Sequence, residues 1–93
     1  MSRRKIPKVT ERKLGRHQAI GLWHPDGRIE IDPRIEGELR LDVLIHEFSH
    51  ERHPHWTEEK VSSEATIMAA FLWKNGVRAE RPTKKTKKRL PGS

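Results

Sequence analysis

Cysteine is missing from the 93 residues. That absence excludes disulfides and thiolate zinc ligands, so a metal would have to be held by histidine and carboxylate. Aromatic residues are few, at 5% of the chain. None lies in the basic stretches at the two ends, so those ends offer no platform for stacking nucleic-acid bases. No apolar run approaches the roughly 20 residues of a membrane span, and the N-terminus lacks the apolar core of a secretion signal. The expectation is a soluble protein of the cytoplasm, with no membrane partner. Apolar residues make up only 32% of the chain and charged ones 35%. A chain of this length forms one small domain that buries a modest share of its surface, and a bound metal would add to its stability.

Charge is present in quantity and is unevenly spread. The net +7 divides into +6 over residues 1–16, −5 over residues 17–77 and +6 over residues 78–93. This describes an acidic unit between two basic ends. We therefore expect a basic, mostly flexible N-terminal segment at 1–16, a folded domain at 17–78 and a basic flexible tail at 79–93. In the tail, Pro82 breaks any helix and Lys84, Lys85, Lys87, Lys88 and Arg89 crowd together. Such a run is ordinarily a solvated, solubilising stretch; its alternative role is to neutralise phosphates on a nucleic acid or to meet another acidic partner.

Between the ends the pattern reads as α+β: a small β-hairpin or sheet, then two antiparallel helices. Ile20 and Leu22 alternate before Pro25-Asp26-Gly27, and Ile29 and Ile31 alternate after it, which predicts a hairpin. Proline presets φ in that turn and glycine accepts the positive φ that follows. A helix is expected over residues 41–52, with Leu41, Leu44, Ile45 and Phe48 as its buried face. His53-Pro54 ends it. Thr57 is the expected N-cap of a second helix, whose apolar stripe is Val61, Ala65, Met68 and Leu72 and whose left-handed cap is Asn75-Gly76.

Chemistry concentrates in "LIHEFSHERHPHW", residues 44–56. His46-Glu47-x-x-His50 on a helix puts two imidazoles one turn apart on the same side, able to reach one zinc ion. Glu47, beside the open coordination position, can take a proton from metal-activated water and return it to a leaving amine. With six His and ten Glu available, random placement produces this spacing in roughly 4% of such chains, so context must strengthen it. The predicted helix, the preceding Val43-Leu44-Ile45 and the acidic helix that follows all do so. For the third ligand the spacing leaves Glu58 and Glu64 open, with His53 and His55 as further histidines in the turn. A cleft between the hairpin and the helix would bind an extended peptide by strand addition, with Arg28–Ile31 as the edge and Trp23 and His24 near its lining.

The region around residues 19–78 resembles small HExxH proteins encoded by bacteriophages and prophages, of zinc-metallopeptidase (gluzincin-like) type. The likeness rests on Ile31-Asp32-Pro33, Gly37 with Arg40-Leu41, Leu44 to His50, Pro54, Glu58 with Val61, and Leu72-Trp73 with Gly76. It implies zinc on His46 and His50, Glu47 as base and Glu58 as third ligand. Glu64-Ala65 is similar to the third-ligand helix of thermolysin-like gluzincins, though closer to His50 than in those enzymes, so Glu64 remains the alternative. The metzincin pattern fits less well, since His55 falls one residue short of its third histidine. The expected activity is hydrolysis of a peptide or protein substrate in the cytoplasm, the host cell's if the chain is phage-encoded. The alternative is a non-catalytic, zinc-stabilised module that binds nucleic acid or an acidic partner through its basic ends. Oligomeric state is left open.

Overall fold

Residues 6–15 and 19–80 are described by the computed structural model. They form three strands followed by two helices, an α+β arrangement. The strands are β1 (Lys8–Glu11), β2 (Gly21–Trp23) and β3 (Arg28–Ile31), and the helices are α1 (Gly37–Arg52) and α2 (Glu58–Lys74).

The hairpin forms as expected. Gly27 donates its N–H to the His24 carbonyl at 2.9 Å and adopts φ 95°. β2 and β3 then pair antiparallel, Gly21 opposite Ile31 and Trp23 opposite Ile29. The third strand comes from the segment expected to be mostly flexible. β1 pairs parallel with β3, so the sheet order is β1-β3-β2. Beyond β1, Leu14 is fully buried and its N–H donates to the Asp32 carboxylate at 3.0 Å. Asp32, expected only to end a strand, is a buried anchor. It also accepts from the Arg34 backbone and guanidinium, and these bonds hold its carboxyl well below the usual range. The outer parts of the two expected flexible ends, residues 1–5 and 81–93, lie outside the described residues, as do residues 16–18.

Because β3 is paired on both sides, it cannot be the edge that accepts a peptide; this corrects the expectation for Arg28–Ile31. The edge strand beside α1 is β2.

Ile29, Ile31, Ile35 and Val43 make the core under α1, with Trp23 and Leu44 packed against it. α1 starts earlier than residue 41, at Gly37, whose φ is 64°. Its first turn is tied down by Arg40, which is only 4% exposed. The Arg40 guanidinium donates to the Ala79 carbonyl at 2.8 Å and to Glu11 at 3.1 Å. The helix also turns differently from its apolar pattern. Phe48 is 45% exposed, whereas Arg40, Glu47 and Ser49 are buried alongside Leu41 and Val43. In α2 the buried stripe is Val61, Ala65 and Ala69, and Met68, expected inside, is 50% exposed. Small residues at that stripe allow close approach of the two helices.

The caps of α2 follow the sequence. Thr57 Oγ1 accepts from the Lys60 N–H at 3.1 Å. Gly76, at φ 91°, and Val77 donate to the Trp73 and Leu72 carbonyls, a Schellman closure.

Candidate metal centre

Four residues separate His46 from His50, so one helical turn stacks their rings, with centroids 5.0 Å apart. The chain then reverses at once. His53 closes α1 by donating its N–H to the Ser49 carbonyl, and Trp56 donates back to the His53 carbonyl. The Trp56 indole lies flat on the His53 ring, 4.0 Å between centroids. This tight turn delivers Glu58, the first residue of α2, beside the C-terminal half of α1. Glu58 Oε2 is 2.9 Å from His46 Nε2, and its Oε1 is 2.9 Å from His50 Nε2.

One donor atom from each of His46, His50 and Glu58 lies within 4.8 Å of the others. Two imidazole nitrogens and one carboxylate form the donor set of a zinc site that keeps a position open for chemistry. The residues therefore fit the metal implied by the sequence. Glu58 is 68% exposed, so the group lies at the surface of the fold. Its place in the first turn of α2 also suits a carboxylate near the positive end of the helix dipole.

The other predicted residues separate. Glu64 is exposed and lines a different cavity of about 290 Å³, with Ile45, Phe48, Trp56 and Met68 among its neighbours. His53 and His55 stay in the turn, their rings edge to face at 6.4 Å. His24 bonds Glu30 at 3.1 Å on the sheet face away from α1. There Arg12 and His24 together hold the Glu30 carboxyl down to about 2. Lys84, Lys85, Lys87, Lys88 and Arg89 lie outside the described residues.

Glu47 is 8% exposed. Burial raises its carboxyl above the ordinary value, the neighbouring His46 and His50 draw it back, and Glu58 raises it again. The wall against it is the backbone of β2. A Cβ at Gly21 would stand 2.5 Å from Val43 Cγ1 and 3.1 Å from Glu47 Oε2, so only glycine permits this approach. Two residues on, the same face of β2 presents Trp23. Its ring stacks on His50 at 6.0 Å, and its Nε1–H donates to Glu51 at 2.7 Å. β2 thus touches the site twice, at Glu47 and at His50. Sequence reasoning missed Gly21; its signal is the strand period of two, which puts positions 21 and 23 on one face.

Beside Glu47 is a second cavity of about 230 Å³, lined by Ile20, Gly21, Leu39, Asp42, Val43, His46 and Glu47. No helix among the described residues is long and apolar enough to cross a membrane. No family model matches the chain, and comparison with curated proteins and with solved structures yields no match.

Proposed function

We propose that the chain is a zinc-dependent metallopeptidase of the cytoplasm. The observation that carries the reading is the convergence of His46 Nε2, His50 Nε2 and the Glu58 carboxylate within 4.8 Å, next to a buried Glu47. The resemblance to small phage-encoded HExxH proteins points the same way.

In this reading His46, His50 and Glu58 hold the ion. A zinc ion held there would supply Lewis acidity for a peptide carbonyl and would bring the pKa of water towards about 7. Glu47 accepts the proton of the attacking water and passes it to the departing amine. Burial against Gly21 keeps Glu47 poorly solvated and in one place. Trp23 holds the His50 ring by stacking, while Glu51 holds the indole. Among the described residues β2 is an edge strand, and its outer edge offers backbone groups to an extended substrate.

A second reading draws on the thinness of the core, whose main cluster is Ile29, Ile31, Ile35 and Val43. A metal that joins α1 to α2 would stabilise such a fold without turnover, leaving the basic ends to bind nucleic acid or an acidic partner. One experiment separates the two. Zinc content and hydrolysis of a mixed peptide library are measured for wild type, His46→Ala, Glu58→Ala, Glu64→Ala and Glu47→Gln. The peptidase reading expects zinc to be lost with His46 or Glu58 and kept with the other two, and hydrolysis to be lost with Glu47→Gln. A metal-free wild type would remove both readings. Zinc-loaded protein that cleaves nothing would leave the binding module.

A further inference from the structure

The cavity beside Glu47 has a composition of its own. Ile20, Leu39 and Val43 give it apolar walls, and at Gly21 the β2 backbone closes against Val43 and Glu47. Its carboxylates are Asp42 and Glu47, beside the His46 imidazole, and no Lys or Arg among the described residues lines it. A volume of about 230 Å³ is below the roughly 300–1,000 Å³ of pockets that enclose a drug-sized ligand, and suits a single side chain.

Leu39, Asp42, Val43 and His46 recur at three and four along α1, so they share one face. Asp42 stands one turn before His46, a rise of about 6 Å. That is the reach of a lysine or arginine stem from a backbone lying at the metal ligands. Asp42 Oδ2 accepts from Thr66 Oγ1 at 3.0 Å, which fixes the carboxylate. Its Oδ1 has no hydrogen-bond or ion-pair partner among the described residues.

We propose that this cavity is a specificity pocket for the side chain of a lysine or arginine next to the scissile bond. The stem lies between Ile20, Leu39 and Val43, and the cation meets Asp42. The inference rests on the peptidase reading for the position of the scissile bond. The pocket itself needs only α1 and β2, so the two ideas can fail separately.

The test uses the full chain as the zinc-loaded Glu47→Gln protein, with fluorescent pentapeptides differing only at the central residue: lysine, norleucine or glutamate. Norleucine keeps an apolar stem and lacks the charge. Fluorescence anisotropy should show the lysine peptide bound about two- to fivefold tighter than norleucine, the range expected for one partly exposed ion pair. Adding Asp42→Asn should bring the two affinities together, and adding Asp42→Lys should favour glutamate. Asp42 is only half-buried, and circular dichroism of each variant checks that the fold survives. Equal affinity for lysine and norleucine, a preference that survives Asp42→Asn, or no binding of any peptide would overturn the proposal. Lysine-selective binding by a wild type that cleaves none of the peptides would sink the peptidase reading and leave the pocket standing.

Discussion

Replacing Gly21 by alanine tests the contact on which the whole site is built. The added Cβ would lie 2.5 Å from Val43 Cγ1, 3.1 Å from Glu47 Oε2 and 3.2 Å from Glu47 Cγ. The first distance is far inside van der Waals contact. Val43 cannot simply swing away, because a β-branched residue in a helix has essentially one χ1 well and Val43 is buried in the core cluster. Either β2 moves off α1 or the helix shifts. Overpacking of this kind costs about 1–3 kcal/mol. For a domain of this size that lowers the melting temperature by about 5–20 °C. The measurement is thermal unfolding of chelator-treated protein by circular dichroism, which removes any contribution from metal. The decisive comparison is a double-mutant cycle. Val43→Ala alone removes core packing and costs about 1–3 kcal/mol. It also removes the atom that the new Cβ strikes, so Gly21→Ala should cost much less in that background, a coupling of about 1 kcal/mol or more. Strict additivity, or a Gly21→Ala protein as stable as wild type, would refute the claim that β2 rests its backbone on α1 at this point.

Three further outcomes follow from the same contacts. Trp23→Ala should weaken zinc binding about 10–100-fold in a competition titration, since it removes the stack on His50, and Trp23→Phe, which keeps a ring but loses the bond to Glu51, should weaken it less. Glu30 has its carboxyl lowered from 4.5 to about 2, so its contribution to stability is fully present above about pH 4.5 and is lost as pH falls through about 2. Urea titrations of metal-free protein between these limits should show falling stability, with a shallower slope in Glu30→Gln and the remainder shared by Asp32 and Asp26, whose carboxyls are lowered in the same sense. Arg40→Leu should destabilise by about 2–4 kcal/mol in chemical denaturation, because it strips Glu11 of a buried partner and unties the Ala79 carbonyl; a change under 0.5 kcal/mol would mean that the chain after α2 is not anchored there.

How much of this was legible in the sequence depends on how local each feature is. The turn at Gly27, the caps of α2 and the one-turn spacing of His46 and His50 involve neighbours in the chain, and residue type alone specifies them. β1 escaped notice because Lys8–Glu11 is exposed throughout. It is held by backbone pairing to β3, so no apolar period marks it. The start of α1 escaped as well, since Glu36 makes no side-chain capping bond and Gly37 enters with positive φ. No Ser, Thr, Asn or Asp stands there to signal a helix start.

The misread faces of the two helices share a cause that bears on function. An apolar pattern finds the buried side of a helix when burial serves only packing. On α1 the side turned to the sheet also carries the candidate site. Glu47 must be desolvated against Gly21, His50 must meet Trp23, and Arg40 must reach Glu11, so polar residues occupy buried positions and Phe48 is turned outward. The same rotation decides between the two carboxylates of α2. With His46 and His50 facing the N-terminal end of α2, Glu58 lies within 2.9 Å of both, while Glu64 is carried round to the side of Phe48 and Met68. Spacing along the chain could not separate the two glutamates, because the choice depends on the rotation of α1 against the sheet. That rotation is set by the close approach of a strand that lacks a side chain at position 21.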